Sequence, residues 1–402
     1  MTALVIFSLT YLGIALGKIP GLALDRVGLA LMGAIAMVVS GTLPPAGAAH
    51  SIDLATILLL YSLMIISAQL RLGGFYTRLA AGITVFLSRP GLFLFVLMMV
   101  AAVLSAVLAN DIVCFAFTPV LALALIDVRM NPLPFLIGLA VASNIGSAAT
   151  IIGNPQNMLI GQVGHLDFGD FILWCAPPSI LALVAAYAFI RLMYRKKFFI
   201  QDRILPEKPL EGWPAFNPWQ TAKGIAAVLI LVALFFSPIP REISAIAIAG
   251  ILLCSRKMKT RDILGLVDWH LITLFCALFI IVEGVSQGEM LSNAVYALAE
   301  NGVDLQRLWV LTGVSTILSN MVSNVPAVML LIQFLDPHAP AQWYTLALSS
   351  TFAGNLFLLG SIANLIVAEQ ASHFGIRIGF RDHAVIGVPV TLISLLMLIV
   401  WI

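Results

Sequence analysis

The chain has 402 residues, of which 61% are hydrophobic and 10% are charged, and its formal net charge is +2. Soluble globular domains contain about 45–50% apolar and about 25% charged residues, so this composition lies far outside their range. It excludes a nucleic-acid-binding protein, a secreted disulfide scaffold and a disordered chain. Because about 20 apolar residues span a bilayer as a helix, the composition predicts an all-α polytopic membrane protein with about 9–11 spans and additional broken segments.

Hydropathy predicts spans in the first half of the chain near residues 3–17, 27–44, 53–70, 91–108, 112–126, 133–151 and 171–194. The polar stretch 195–220 follows and is the only long hydrophilic connection, so we interpret it as a cytoplasmic linker. Further spans are predicted near residues 221–237, 241–254, 268–285, 307–322, 325–335, 343–368 and 384–402. The segments 72–90 and 287–304 are mixed in polarity and are predicted to lie at the membrane surface.

Short motifs recur at a nearly constant spacing, which predicts two homologous halves. Asp53 and Asp268 each open a span, where we expect them to cap the helix. At almost the same spacing, the motif that ends at Asn110 recurs at Asn324. At a slightly shorter spacing, the run Gly153-Asn-Pro-Gln-Asn157 is matched by Gly360-Ser-Ile-Ala-Asn364.

Lys and Arg mark one set of span ends as cytoplasmic. They occur at 18–26, 71–89, 191–197, 256–261 and 377–381, whereas the opposite ends at 45–52, 164–170 and 286–305 contain none. Both termini are therefore predicted to lie outside the cytoplasm. The basic residues at 71–89 have no counterparts at 286–304, so equivalent segments face opposite sides, and we predict an inverted-topology repeat.

Two polar runs interrupt apolar surroundings at matching places, at residues 105–111 and 319–326. Polar side chains also join packed helices in ordinary bundles. Backbone groups in hydrocarbon need partners, so unwound segments survive only where protein or water supplies them. Recurrence in both halves favours re-entrant hairpins, and the candidate binding residues on them are Ser105, Asn110, Ser319, Ser323 and Asn324.

A second pair of breaks follows the hairpins, at residues 143–157 and 354–364. Glycine lets the backbone approach a ligand, and asparagine both donates and accepts hydrogen bonds, which suits an ion or small oxyanion held at opposed helix ends. A tight surface turn is the alternative. The candidate binding residues in these breaks are Asn144, Gly153, Asn154, Asn157, Asn355, Ser361 and Asn364.

Asp111 is the only carboxylate in either hairpin motif, and Val325 stands at the matching position. An intramembrane acid is a candidate for proton or cation coupling, and a structural residue at a wet hairpin tip is the alternative. The coupling ion would be H⁺ or Na⁺, and no cofactor is expected. The chain has no metal-binding histidine spacing and no catalytic motif, so neither a metal site nor an enzyme is predicted.

The chain resembles the ion-transporter superfamily that contains arsenite-efflux pumps, P-protein-like and citrate-type permeases, and divalent anion/sodium symporters. The likeness covers nearly the whole chain, and its most specific pieces are Leu108-Ala-Asn-Asp111, Ser143-Asn-Ile-Gly146, Gly153-Asn-Pro-Gln-Asn157, Ser323-Asn-Val-Pro326 and Gly360-Ser-Ile-Ala-Asn364. The resemblance implies a homodimer in which a transport domain with two opposed hairpins moves as an elevator against a scaffold. It also implies that substrate lies between Asn110 and Asn324.

The resemblance assigns a scaffold and a transport part to each repeat. The first repeat would be 1–194, with scaffold spans at about 1–70 and transport spans at about 91–194. After the linker at 195–220, the second repeat would be 221–402, with scaffold spans at about 221–285 and transport spans at about 307–402.

The hairpin tips bear on the substrate. Dicarboxylate symporters carry Ser-Asn-Thr at both tips, whereas this chain has Ala109-Asn-Asp111 and Ser323-Asn-Val325, and the first of these resembles the arsenite-pump branch. A carboxylate beside the site also repels a dianion. Against this, Gly153-Asn-Pro-Gln-Asn157 is closer to permeases of unassigned substrate.

We therefore predict a secondary transporter of a small inorganic oxyacid or anion in the cell inner membrane. The preferred activity is efflux of arsenite or antimonite coupled to the proton gradient, and the arsenite branch would allow a cytoplasmic ATPase partner. The alternatives are sodium-coupled symport of a carboxylate, sulfate or phosphate, and sodium/proton antiport. No nucleic-acid partner is expected.

Overall fold

The structure is a computed structural model that describes residues 2–16, 23–199, 215–288, 300 and 302–402. Over these residues the chain is helical apart from one isolated bridge between Met130 and Phe199. The predicted linker 195–220 and the predicted surface segment 287–304 lie partly outside the described residues. Six described helices are long and apolar enough to cross a membrane, so the chain is a multi-pass membrane protein.

The helices of the first half are α1 (Thr2–Leu16), α2 (Arg26–Val39), α3 (Pro45–Ser51), α4 (Leu54–Leu72), α5 (Phe75–Ile83), α6 (Pro90–Val107), α7 (Asn110–Asp127), α8 (Leu133–Ser147), α9 (Pro155–Val163) and α10 (Phe168–Tyr194). The described helices of the second half are α11 (Pro218–Leu234), α12 (Arg241–Leu253), α13 (Thr260–Leu264), α14 (Trp269–Ser286), α15 (Leu308–Val322), α16 (Asn324–Leu331), α17 (Pro340–Ala353), α18 (Ile362–Ser372) and α19 (Phe380–Trp401). Short 3₁₀ turns follow α5 and α16, and a third precedes α18.

Aspartates begin the long helices α4 and α14, as predicted. Asp53 accepts a hydrogen bond from the Thr56 backbone N–H at 2.6 Å, and Asp268 accepts one from the Leu271 N–H at 2.9 Å. The first N–H groups of a helix have no partner within the helix, so each carboxylate satisfies one of them.

One predicted span ends earlier than expected, and another is divided into two helices. The predicted span 133–151 ends early, because α8 stops at Ser147 and α9 starts at Pro155. The predicted span 343–368 is split between α17 and α18, which are separated by the loop and 3₁₀ turn before Ser361. Hydropathy averages across such breaks. In the first break Pro155 lacks an N–H and disfavours a helical conformation in Asn154, whereas the second break has no proline and contains Gly354 and Gly360.

The order of the helices repeats along the chain. The starts of α2, α3 and α4 precede those of α12, α13 and α14 by one constant spacing, and α8 and α9 precede α17 and α18 by a second, slightly shorter one. Contacts between the halves are exchanged in the same way: α2 packs against α14 while α12 packs against α4. The two halves therefore share a repeated order of helices and a reciprocal pattern of contacts.

Two helices lie at the centre of the molecule. Helix α8 is buried from Pro134 to Ser147, and α17 is buried from Gln342 to Ala353. Every residue of these two stretches is buried, so protein surrounds both helices on all sides. Helix α8 packs against α6, and α17 packs against α15 in the corresponding way. The carboxyl ends of these two helices therefore meet the polar breaks in the interior.

Candidate transport site

A small cavity of about 30 Å³ lies where the carboxyl ends of the central helices approach the hairpin tips and the starts of α9 and α18. It is lined by Asn110, Asp111, Asn144, Asn154, Pro155, Gln156, Leu271, Ser323, Asn324, Val325, Ser361 and Ile362. A cavity needs about 10–15 Å³ to hold one water molecule. In this conformation the cavity has room for a water molecule or a single ion.

Both hairpin tips place an asparagine at the first residue of the helix that follows a short connection. Helix α6 ends at Val107 and α7 starts at Asn110, while α15 and α16 are separated by Ser323 alone. Ser323 has a φ of 82°. A positive φ is uncommon for a residue other than glycine and is concentrated at functional sites. This turn aims Asn324 at the cavity opposite Asn110.

Backbone carbonyls fix the orientation of the buried side-chain amides, beginning with Asn364. Asn364 donates its Nδ2 hydrogens to the carbonyl oxygens of Gly354 at 2.8 Å and Phe357 at 3.2 Å. A carbonyl can only accept, so the Oδ1 of Asn364 must face the other way. There it accepts a hydrogen bond from Nδ2 of Asn144 at 3.2 Å. The same Nδ2 donates to Oδ1 of Asn355 at 2.9 Å.

The orientation of Asn144 in turn fixes that of Asn110. Because Nδ2 of Asn144 is used as a donor, its Oδ1 faces the cavity side, where it accepts from Ser361 Oγ at 2.9 Å and from Asn110 Nδ2 at 3.3 Å. Oδ1 of Asn110 is left buried without a partner, and so is Oδ1 of Asn324 on the opposite hairpin. Leaving a buried acceptor unpaired costs about 1–3 kcal/mol.

The residues of the cavity wall carry acceptor oxygens that have no hydrogen-bond partner among the described residues. The wall contains the unpartnered oxygens of Asn110 and Asn324 together with the half-buried carboxyl group of Asp111. Oxygen atoms of this kind bind a cation, or a solute whose own O–H groups donate hydrogen bonds. A ligand that carries only acceptors would leave them unpaired.

The two breaks behind the cavity use the same construction. Asn157 donates Nδ2 to the carbonyl oxygen of Ser147 at 3.3 Å, and Asn364, at the equivalent place in the second break, donates to that of Gly354. These amides satisfy carbonyls at the ends of α8 and α17, which have no partners within their helices. The equivalent glycines Gly153 and Gly360 approach the same two carbonyls.

A reciprocal pair of contacts crosses between the halves at this point. Asn154 donates Nδ2 to Oγ1 of Thr351 at 3.3 Å, and Ser361 donates Oγ to Oδ1 of Asn144 at 2.9 Å. The spacing from Asn154 to Ser361 equals the spacing from Asn144 to Thr351, so both pairs are equivalent positions of the two halves. Residues at matching positions of the two halves therefore bond reciprocally beside the cavity.

Seven of the residues proposed from the sequence line the cavity, namely Asn110, Asp111, Asn144, Asn154, Ser323, Asn324 and Ser361. The others lie behind the wall. Asn157, Asn355 and Asn364 orient the wall residues or cap helices, and Gly153 packs against backbone. Ser105 is hydrogen-bonded to Ser143, with 2.7 Å between the hydroxyl oxygens, and Ser319 is buried.

The wall is completed by five residues that were not predicted from the sequence, namely Pro155, Gln156, Leu271, Val325 and Ile362. Gln156 donates Nε2 to Oγ1 of Thr351 at 3.3 Å. Its place inside the Gly-Asn-Pro-Gln-Asn motif was an available signal. Leu271 had no signal, because it reaches the cavity from the start of α14.

A larger cavity of about 500 Å³ lies at the other end of α9. Arg241 at the start of α12 donates to the carbonyl oxygens of Gly161 at 2.7 Å and Leu166 at 2.9 Å. Gln162 donates to Glu242 at 3.0 Å beside it. Helix α9 therefore connects the small cavity, which Gln156 lines, with the larger one, which Gln162 lines.

A membrane-embedded helical fold with broken helices around a buried polar cavity defines a multi-pass transport protein. The sequence matches the CitMHS citrate transporter family over residues 4–353, and the chain belongs to this family.

Similar curated proteins match this chain over most of their own length. A 46 kDa membrane protein of Mycobacterium leprae is 30% identical and covers 86% of this chain and 84% of its own length. The putative transporter arsB of Dictyostelium discoideum is 25% identical over 93% of this chain and 86% of its own length. The silicon efflux transporter LSI3 of rice (Oryza sativa subsp. japonica) is 27% identical over 94% of this chain and 92% of its own length.

The crystal structure of the Alcanivorax borkumensis YdaH transporter, described as revealing an unusual topology, is similar in fold. It superposes with a TM-score of 0.53, covers 99% of this chain and 95% of its own, and is 13% identical in sequence. The likeness identifies the same overall fold.

Proposed function

We propose that this protein exports a small, neutral inorganic hydroxy acid, arsenous or antimonous acid, across the cell inner membrane in exchange for protons. The observation that carries the proposal is the set of acceptors on the wall residues, namely the unpartnered oxygens of Asn110 and Asn324 and the carboxyl group of Asp111. The O–H groups of such an acid would donate to the unpartnered oxygens of Asn110 and Asn324. The names of two relatives, arsB and silicon efflux transporter, support an acid of this class.

Asp111 supplies the coupling group in this proposal. It lies in the first turn of α7, next to Asn110, and it lines the cavity. A carboxyl group that binds a proton on one side of the membrane and releases it on the other changes its charge beside the substrate during each cycle. Val325 occupies the matching place on the second hairpin, so a single acid serves the site.

Sodium-coupled uptake of a carboxylate is the second candidate, and the citrate transporter description of the family favours it. A multiply charged carboxylate would place its own acceptor oxygens next to Asp111 and the two unpaired amide oxygens. In a low dielectric its negative charge would be repelled by these groups. Sodium/proton antiport is a third candidate, because amide and carboxylate oxygens also bind Na⁺.

The experiment is a transport panel in proteoliposomes with imposed proton and sodium gradients. Arsenite, antimonite, silicic acid, citrate, phosphate and sulfate are offered one at a time. We expect proton-driven accumulation of arsenite or antimonite, since these are neutral hydroxy acids near pH 7. Saturable sodium-dependent uptake of citrate would overturn the proposal, and sodium flux without any of these solutes would favour antiport.

The Asp111→Asn variant tests the coupling. The amide keeps the shape and one acceptor of the carboxyl group, but it cannot titrate. We expect loss of proton-driven accumulation, while downhill arsenite exchange persists. Undiminished proton-coupled transport would remove Asp111 from this role. The assay contains no ATPase, so it measures the proton-coupled step apart from the cytoplasmic ATPase partner that the arsenite branch would allow.

We also propose that the halves 1–194 and 221–402 form an inverted repeat whose transport parts, 91–194 and 307–402, move as an elevator in a homodimer. The repeated helix order, the exchanged contacts and the opposite placement of Lys and Arg support this architecture. Cross-links between the scaffold spans 1–70 and 221–285 should leave transport intact, and cross-links from scaffold to hairpin should abolish it. The reverse result, or a cytoplasmic amino terminus in labelling experiments, would contradict it.

A further inference from the structure

His383 is a buried titratable side chain that the proposed mechanism does not use. It lies one turn into α19, is 1% exposed, and its Nε2 is 3.0 Å from the backbone oxygen of Asn355. A carbonyl oxygen only accepts, so Nε2 of His383 carries the hydrogen and donates it. Nδ2 of Asn364 lies 3.4 Å from the same nitrogen, but both of its hydrogens are directed at backbone carbonyls.

The surface of α19 is shaped to receive this part of the backbone. Gly387 is one turn after His383, and a Cβ at that position would lie 2.3 Å from the oxygen of Asn355 and 2.9 Å from Nε2 of His383. Gly387 leaves space on the surface of α19, and His383 beside it supplies a hydrogen-bond donor. Together they form a notch that holds the backbone oxygen of Asn355. The notch has no counterpart in the first half, because α10 begins 212 residues before α19 (380−168) and carries Phe171 and Cys175 at the positions of His383 and Gly387.

The notch is connected to the cavity through one side chain. The Oδ1 atom of Asn355 accepts from Asn144, and Asn144 accepts from Asn110 and Ser361 in the cavity wall. Asn355 and Ser361 lie at the two ends of the segment that joins α17 to α18. A shift of the Asn355 backbone would therefore turn Asn144 and with it the amide of Asn110.

We propose that His383 is a positioning residue for the substrate site, which it holds in shape by hydrogen bonding to the backbone of Asn355. The inference rests on the proposed function of the cavity. His383 does not touch the substrate. It sets the orientation of Asn144, and so it controls affinity more than the maximal rate.

The experiment compares His383→Leu with His383→Gln, using arsenite as the probe. Leucine removes the donor at similar volume, and glutamine places an N–H near the position of the imidazole Nε2. We expect His383→Leu to raise the KM for arsenite about tenfold, the size of one lost buried hydrogen bond. Its maximal rate per folded protein should stay within about twofold of the parent. His383→Gln should recover most of the affinity.

Gly387→Ala provides an independent variant that keeps the histidine. Its methyl group would push the Asn355 backbone out of the notch, so its KM should rise as well. Ser394→Ala is the matched control, because its hydroxyl bonds to Val390 within α19, away from the cavity. If His383→Leu does not fold, His383→Gln and Gly387→Ala still decide the question. An unchanged KM in Gly387→Ala, or an equal loss in the glutamine and leucine variants, would overturn the proposal.

A structural readout separates this inference from the proposed function. In an experimental structure of His383→Leu, residues 354–361 should be displaced and Asn144 reoriented relative to the parent. If the parent transports no hydroxy acid but this displacement is seen, the proposed function fails and the positioning role stands. If the segment does not move, the positioning role fails whatever the protein transports.

Discussion

The two helix breaks behind the cavity share their backbone construction and differ in their side-chain chemistry. In both, an asparagine satisfies the last carbonyl of a buried helix and a glycine lies against that carbonyl. The second asparagine, Asn364, also holds Asn144, whereas Oδ1 of the first, Asn157, is buried without a partner. The asparagine and the glycine at the helix end recur because any broken helix in a membrane needs partners for its free carbonyl groups. The contact between Asn364 and Asn144 does not recur, and it belongs to the site.

The hairpins differ in the same manner. Asn110 and Asn324 occupy equivalent places and both line the cavity. Only the first is followed by an acid, Asp111, and only the second is preceded by a residue with a positive φ, Ser323. The repeated motif thus supplies an amide at each tip, and the differences between the two tips supply a carboxyl group and a distinct turn.

Substituting the two glycines should give the largest difference between the halves. A Cβ on Gly153 would lie 2.2 Å from the backbone oxygen of Ser147, which cannot move without shifting α8. A Cβ on Gly360 would lie 3.0 Å from the side chain of Asn320 and the oxygen of Gly354. Because overpacking costs about 1–3 kcal/mol and sometimes more, we expect Gly153→Ala to lose most folded protein and Gly360→Ala to keep it.

Size-exclusion profiles and melting temperatures in detergent measure this difference. Equal losses in the two variants would contradict this prediction, because they would show that the two breaks are equally tight.

The second-largest effect is expected when the side-chain amide of either hairpin tip is removed. Asn110→Ala deletes a donor to Asn144 and an acceptor in the wall, and Asn324→Ala deletes the opposite acceptor. Loss of such groups from a dry pocket costs about 1–3 kcal/mol, so affinity should fall roughly 5- to 150-fold. Substrate binding to the purified variants measures this, and Asn131→Ala, whose amide bonds to Lys197 far from the cavity, is the control. Parent-like binding by both tip variants would mean that the site has been misplaced.

The asparagines of the two breaks should separate affinity from stability. Asn364→Ala frees Asn144 as well as two carbonyls, so we expect about a tenfold loss of affinity. Asn157→Ala leaves only backbone carbonyls unpaired, so it should lower the melting temperature while affinity stays within about twofold. The decisive quantity is the ratio of the two dissociation constants. A larger loss of affinity in Asn157→Ala would place the functional asymmetry in the other half.

The smallest difference is expected between two arginines at equivalent positions, the first residues of α2 and α12. Arg241 ties α12 to the end of α9 by two hydrogen bonds, whereas Arg26 makes no side-chain hydrogen bond to any described residue. Arg241→Ala should lower the free energy of unfolding by about 1–3 kcal/mol, and Arg26→Ala should lower it less. Arg241→Lys should be intermediate, because an ammonium group cannot match the planar fork of a guanidinium. Thermal unfolding in detergent would contradict this if Arg26→Ala were the less stable alanine variant.

Much of the fold and part of the site could be predicted from the sequence. The composition identified a membrane protein. The runs of Gly, Asn and Pro located both hairpins and both breaks, because these residues alter the local backbone conformation wherever they occur. Hydropathy alone did not give the helix ends: the span 133–151 runs past the end of α8 at Ser147, and the span 343–368 includes the break that the Gly and Asn residues predicted.

The sequence by itself determined which polar residues lie in the apolar interior, because a polar residue inside an apolar run can be recognised from the residues next to it in the sequence. Only the tertiary structure decided their tasks. Asn157 and Asn364 turn back to cap helix ends, Asn110 and Asn324 turn forward to the cavity, and His383 reaches Asn355 from a distant helix. The direction of a side chain depends on which acceptors the packed helices leave unsatisfied, and that is settled only when segments far apart in the chain come together.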